Sequence, residues 1–384
     1  MYFYNKHKIL NKDIKNVVNS LKSDQITKGK FLNLFENQLK KYFKSKYSLA
    51  FSNGTMALFT VAKCLNWGRK DFVILSPISF VAGANAVSSV NANPVFVDID
   101  ENFNLNPKKV EKKILELKKN KKKVKSVIVT DYGGNPANWQ ELFKLKKKYK
   151  FSLINDNCHS LGSKINGNQG YAAKYADIVV QSFHAVKNIT TAEGGAILTN
   201  NKNNFYKLKS LREHGFELDK AKDPWSYDMS FVGFNARISE LNCALGYSQL
   251  KSLNNFVKKR NKIANFYNNI FKKVNVLNIP KIPQKNFCSY HLYPLRFNWD
   301  KIKMSKIKFF NIMKNKYGIN LQIHYKPTYK FKYYKSKMKT KISEFPNSEK
   351  FYKETFSIPL HLGLTKKQLK YISSSIIKTL GIKN

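Results

Sequence analysis

Between residues 48 and 183, short apolar runs alternate with amphipathic stretches, and this alternation constrains the fold more than any other feature. The runs 48–51, 72–75, 94–97, 126–130, 153–154 and 177–183 have the length and composition of buried strands. Helical spacing fills most of the gaps, at 55–65, 81–90, 108–117 and 138–149, and two earlier helical patterns carry Ile14, Val17, Val18, Leu21 and Phe31, Leu34, Phe35, Leu39. Strands without a polar side need cover on both faces, and helices between parallel strands supply it. The expectation is an α/β fold with a largely parallel sheet. A long helix is predicted over 242–259, with Leu245, Leu250, Leu253 and Phe256 on one face. Beyond it, Pro-punctuated strands and helices (279–297, 303–317, 365–380) read as a smaller α+β domain. The expected division is a large domain over 1–250, with an N-terminal helical segment, and a small C-terminal domain over 251–384.

Charge is the second constraint. The chain holds 69 Lys+Arg against 24 Asp+Glu, a formal net charge of +45. Such a polycation suggests nucleic acid or an anionic membrane surface. Yet only five of the basic residues are arginine: Arg69, Arg212, Arg237, Arg260 and Arg296. Bidentate reading of bases and phosphates favours arginine. The lysine excess therefore reads as drift toward A/T-rich codons, with no specific nucleic-acid partner. The run KKNKKKVK at 118–125 reads as a solvated helix end and loop, with an anionic-lipid patch as the lesser alternative. A hydrophobic share of 42% excludes a disordered chain. No apolar stretch reaches the length of a membrane span, and the start lacks a leader-like segment, so neither membrane insertion nor secretion is expected. Cys64, Cys158, Cys243 and Cys288 have no CxxC spacing, which suits a cytoplasmic location and offers no metal site.

Three segments carry chemistry. In QSFHAVKNITTAEGGAILTN (181–200), Lys187 follows a strand-like run. A partly desolvated lysine at a strand end can form a Schiff base, and the spacing alone does not separate it from a surface lysine. In FSLINDNCHSLGS (151–163), Asp156 closes an apolar run and His159 follows three residues later. Open α/β sheets bind ligands at strand carboxyl ends, but Asp156 reads equally as a helix cap and His159 as a core histidine. In FSNGTMAL (51–58), strand, Gly54–Thr55 and helix make either a phosphate-gripping turn or an ordinary one capped by Ser52 or Thr55.

With SDQITKG (23–29), PISFVAGANAV (77–87), NPVFVDID (93–100), LREHG (211–215), GFNARISELNCALGYSQL (233–250) and IHYKP (323–327), these segments form an ordered set. Over about residues 4–377 the chain resembles the sugar aminotransferases of the DegT/DnrJ/EryC1/StrS family. These are pyridoxal 5'-phosphate (PLP) enzymes of fold type I, the aspartate-aminotransferase-like α/β/α architecture. By matching position, the resemblance implies that Lys187 holds the cofactor as a Schiff base and Asp156 pairs with its pyridine nitrogen. It places His159 near the phenolic oxygen and Phe80 on the ring. It gives the phosphate to Gly54, Thr55, Met56 and Ser182, joined by Asn235 from the partner subunit of a homodimer. Glu193 is implied to be structural. Arg237 stays open between an interface ion pair and a substrate contact. Arg212, His214, His324, Tyr325 and Lys326 are the candidates for binding a sugar nucleotide.

Within the family the chain is most similar to the branch serving pseudaminic acid biosynthesis. That implies transfer of the amino group of L-glutamate to C4 of a UDP-linked 4-keto-6-deoxy-N-acetylhexosamine. Lys187 disfavours the dehydratase branch, where histidine replaces it. Some positions depart from the family pattern: Ala185, Ala192, Asn155, Asp131 and Tyr329 stand where Pro, Gly, Glu, His and His are usual. Ala192 is unfavourable if its φ is positive. Asp131 and Tyr329 are expected near the sugar side of the pocket. The rival readings are another nucleotide-sugar aminotransferase, or a non-catalytic member that binds polyanions through its lysines.

Overall fold

The computed structural model describes residues 1–217, 223, 225–337 and 341–381. Seven strands form the main sheet: β1 (Tyr47–Phe51), β2 (Asp71–Leu75), β3 (Asn93–Phe96), β4 (Lys123–Thr130), β5 (Ser152–Asp156), β6 (Ile178–Ser182) and β7 (Gly195–Thr199). Their order is β1-β7-β6-β5-β4-β2-β3. β3, β2, β4, β5 and β6 are parallel, and β7 runs antiparallel to both β6 and β1. The predicted strands and helices are present, with ends shifted by a few residues. The 242–259 helix is longer than expected, running from Glu240 to Phe271.

Successive residues of a strand face opposite sides of the sheet. Ala50, Ile74, Val127, Val129, Leu153 and Val179 enter one core, with Phe35, Ile114 and Leu142 from the covering helices. Leu49, Val73, Ile128, Ile154 and Val180 enter the other, with Leu58, Val61 and Leu208. Both faces are dry, which is why the strands read as apolar runs rather than alternations.

Helix Lys30–Phe43 has no side-chain cap of its own. The buried Glu240 carboxylate takes its place, accepting the N–H groups of Gly29 (2.9 Å), Phe31 (2.7 Å) and Leu32 (2.9 Å). Glu240 also opens the 32-residue helix Glu240–Phe271, about 48 Å long. Its first half buries Cys243, Leu250, Leu253 and Val257 in the first core. Its second half buries Ile263, Ala264, Tyr267 and Phe271 in a third core. That core surrounds a three-stranded sheet of Leu277–Asn278, Pro294–Phe297 and Thr355–Ser357. The expected division at 250/251 falls inside this continuous helix, and its side chains change core between Val257 and Ile263.

Residues 2–8 strap these parts together. Tyr2 bridges to Ile319. The Tyr4 carbonyl accepts the Leu360 N–H (3.0 Å), and the Lys8 carbonyl accepts Gln249 Nε2 (2.9 Å). Among the described residues no helix is long and apolar enough to cross a membrane.

Candidate active site

Parallel β4, β5 and β6 bring Asp131, Asp156 and Ser182 to one edge of the sheet, at its carboxyl ends. Between β6 and β7 the chain closes a loop. Phe183 N–H bonds the Gly194 carbonyl (2.8 Å), and Thr191 N–H bonds the Phe183 carbonyl (2.9 Å). Lys187 stands on a turn of this loop, its N–H on the His184 carbonyl (2.9 Å). Both flanks are tied: Asn188 Nδ2 donates to the Leu161 carbonyl (2.8 Å), and Asn5 Nδ2 donates to the Val186 carbonyl.

Burial lowers the pKa of the Lys187 amine from the ordinary lysine value, with Cys158 and Asp156 opposing. Asp156 itself has two long contacts, from Thr130 Oγ1 and from the Cys158 N–H, both 3.3 Å, with the weakly donating Cys158 thiol beside it. Much of its acceptor capacity is therefore uncommitted. Gly133 N–H points to His159 Nδ1 (3.4 Å), so the proton of the neutral ring belongs on Nε2, 3.0 Å from the Tyr325 hydroxyl. Burial first, then Lys187 and His324, holds His159 well below the usual histidine range. His324 bonds Ser357 Oγ through Nδ1 (2.9 Å), and burial with Lys187 pushes it down to about 4. His291 packs on His159 at 4.6 Å between ring centroids and is likewise held low by burial. The buried amine thus faces three neutral imidazoles and one carboxylate. Phe80, 55% exposed, forms an apolar rim 6.1 Å from the Tyr325 ring.

A cradle adjoins Ser182. A Cβ at Gly54 would meet Ser182 Cβ at 2.9 Å, so glycine lets the helix Gly54–Cys64 start against β6. The cap is Asn53, rather than Ser52 or Thr55, and its Oδ1 accepts the Met56 N–H (2.8 Å). Met56 is thereby removed from the expected phosphate donors. The Gly54 and Thr55 N–H groups have no partner among the described residues, and they lie at the positive end of the helix.

This strand-end arrangement has relatives. The model of the DegT/DnrJ/EryC1/StrS aminotransferase family matches residues 7–377. The chain belongs to that family. It is 36% identical over 380 residues to the UDP-4-amino-4,6-dideoxy-N-acetyl-beta-L-altrosamine transaminase of Campylobacter jejuni strain 81-176, covering 99% of this chain and 98% of that one. Helicobacter pylori PseC, an aminotransferase involved in the biosynthesis of pseudoaminic acid, superposes with a TM-score of 0.90 at 32% identity over 99% of both chains. The PLP-form of the putative sugar aminotransferase Spr1654 from Streptococcus pneumoniae gives 0.87 at 25% identity over 98% of both. The fold is the fold type I architecture of these aminotransferases.

Against the family pattern, several expected roles change. Arg212 is buried: its Nη1 pairs with Glu36 (2.7 Å) and donates to the Ala50 carbonyl (2.9 Å), so it ties β1 to a helix instead of facing a sugar nucleotide. Asp131, expected on the sugar side, is a core hub. Its Oδ1 accepts from Ala137 N–H and Trp139 Nε1 (both 2.8 Å), and its Oδ2 from Tyr171 (2.7 Å), Asn157 (3.0 Å) and Asn155 (3.3 Å). Burial pushes its carboxyl up to about 6, with these donors pulling the other way. Tyr329 is also internal, bonded to Glu349 (2.6 Å) and packed on Phe345. Ala192 does take a positive φ of 66°. His324 and Tyr325 join the Lys187 cluster. Lys326 is exposed, its amine over Phe331. His214 packs on Phe216, in the segment that pairs with Asp228–Met229. Asn235 is exposed, bridged through its backbone to Glu213. The Glu193 carbonyl accepts Thr191 Oγ1 (2.7 Å), and the Glu193 side chain is exposed, 3.7 Å from His184. Sequence reasoning missed Asn5, Arg260 and His291. No spacing signals them, because they meet the site only through tertiary contacts.

Proposed function

We propose that this protein moves the amino group of L-glutamate to C4 of a UDP-linked 4-keto-6-deoxy-N-acetylhexosamine, giving UDP-4-amino-4,6-dideoxy-N-acetyl-β-L-altrosamine. The observation that carries the reaction type is the half-buried Lys187 amine beside Asp156 at the sheet's carboxyl edge, its pKa lowered by desolvation. The sugar follows from the similarity to the named Campylobacter transaminase. The donor set fits PLP: an amine of lowered pKa, a carboxylate with spare acceptor capacity, and a glycine cradle with free N–H groups. Gly54, Thr55 and Ser182 would hold the phosphate, Asp156 the pyridine nitrogen, Lys187 the aldehyde carbon, and Phe80 the ring face. When bound, the cofactor supplies the electron sink that makes the α proton of an amino acid acidic.

The chain's own residues do the rest. The lowered pKa of Lys187 leaves its nitrogen free to take a proton and return it. Asp156 would place its carboxyl group where a protonated ring nitrogen needs a partner. His159, with its proton on Nε2, orients the Tyr325 hydroxyl at 3.0 Å. The neutral histidines leave Asp156 as the carboxylate beside the Lys187 amine. The reading keeps a cofactor-holding unit up to about residue 250 and a smaller unit from 251. It also holds that the protein works in the cytoplasm as a homodimer, with Asn235 reaching the partner's phosphate site. Support for the dimer is the exposure of Asn235 beside exposed Trp225, Tyr227, Met229 and Val232.

The test is product analysis with glutamate and a panel of UDP-4-keto sugars, alongside Lys187→Ala. The amino sugar should form with the parent and not with the variant. A chain that takes up no PLP, or turns over no ketosugar, would overturn the reading. Sedimentation at near-physiological salt tests the dimer.

A further inference from the structure

We propose that Asn5 is a positioning residue for Lys187, itself set in place by the buried guanidinium of Arg260. The inference deepens the aminotransferase reading and rests on it. Arg260 is 2% exposed, and no carboxylate pairs with it among the described residues. Its Nη1 donates to the carbonyls of Tyr290 (3.1 Å), Leu360 (3.2 Å) and His291 (3.5 Å), and its Nη2 to Asn5 Oδ1 (3.3 Å). A buried cation held only by neutral oxygens polarises each of them strongly.

Asn5 passes that polarisation on. Its Oδ1 accepts from the guanidinium and from the Lys6 N–H (2.8 Å), and its Nδ2 donates to the Val186 carbonyl. Drawing electron density through Oδ1 makes the Nδ2–H a better donor. The amide can face only one way. Flipped, its NH2 would meet the guanidinium and its oxygen the Val186 carbonyl, two like-with-like contacts. The Val186 carbonyl belongs to the peptide group that carries the Lys187 nitrogen, so fixing it fixes the stem of the lysine. Asn188 pins the other flank through the Leu161 carbonyl. The same Arg260 group holds the His291 carbonyl, and His291 packs on His159. One cation therefore registers the N-terminal strap, the histidine cluster and the Lys187 loop against each other.

Asn5→Asp is the discriminating variant. It keeps the shape and gives Arg260 a counter-ion, which offsets the oxygen it turns toward the Val186 carbonyl, so the fold is retained, but it cannot donate to Val186. With glutamate and the UDP-4-keto sugar, kcat should fall about tenfold while both KM values stay within about twofold. The thermal midpoint should stay equal or rise. In the ligand-free chain, amide hydrogen exchange over 184–190 should speed up about tenfold while exchange in β5 and in helix Glu240–Phe271 is unchanged. Asn5→Ala should give the same local loosening with some loss of stability. The proposal is overturned if Asn5→Asp leaves both kcat and exchange over 184–190 at parental values, or if exchange rises everywhere alike. If the parent itself shows no transamination, the aminotransferase reading falls, and the exchange measurement still decides the link from Asn5 to the lysine loop.

Discussion

Asp131 and Asp156 leave neighbouring strand ends and meet opposite surroundings. Asp131 is saturated: five donors from three segments converge on its two oxygens, all but one of them within 3.0 Å. Asp156 has two donors at 3.3 Å and lies close enough to the Lys187 amine to raise its pKa. A carboxylate whose lone pairs are all engaged can organise a core and cannot serve a ligand. One with spare capacity beside a buried amine can. The carboxyl edge of the sheet therefore holds two arrangements of different kinds, a structural knot at β4 and the pair proposed to react at β5 and β6.

Removing one charge at a time should break this pairing in opposite ways. Asp156→Asn is expected to lower kcat on the order of 10³-fold while changing the unfolding free energy by less than about 1 kcal/mol. Asp131→Asn is expected to do the reverse. Its amide NH2 would face either the Ala137 and Trp139 donors or those of Tyr171 and Asn157. That should cost about 3 kcal/mol in urea unfolding, with kcat per folded molecule unchanged. Equal effects of the two variants on stability would remove the distinction. A smaller effect belongs to Tyr325→Phe, which removes the 3.0 Å contact with His159 and should lower kcat about tenfold.

Titration sharpens the comparison further. Burial lowers the Lys187 amine and Asp156 partly restores it. Modification of Lys187 by an amine-selective reagent should therefore rise at lower pH than that of the surface lysines. It should move lower still in Asp156→Asn, and stay put in Asp131→Asn. The smallest effect lies outside the pair. Ala192 holds φ at 66°, a region that costs an L-residue about 1–2 kcal/mol, so Ala192→Gly should raise stability by about 1 kcal/mol without changing kcat.

The strand–helix alternation was legible because both faces of the sheet are buried, which writes each strand as an apolar run. That Lys187, Asp156 and His159 lie together at one edge of the sheet was legible because each sits a short step from such a run. Asp131 was misplaced for the same reason: a strand-end carboxylate looks identical whether or not Trp139 and Tyr171 point at it. Arg212 was misplaced because its partner, Glu36, lies 176 residues away. Ser52 and Thr55 were reasonable caps by residue type, but only Asn53 stands at the position from which a side chain reaches the Met56 N–H. Asn5, Arg260 and His291 leave no pattern at all, since contacts between distant segments bring them together.

The strap has a consequence for the order in which the molecule can be completed. Tyr4 and Asn5 leave the ribosome well ahead of Ile319 and Leu360, which hold that segment. A nascent chain can assemble the main sheet and present Lys187 long before the strap has anything to dock on. Synthesis of the 319–360 stretch therefore does more than add a smaller unit. It closes the strap over residues 2–8 and, through the link proposed for Asn5, sets the Lys187 loop into register.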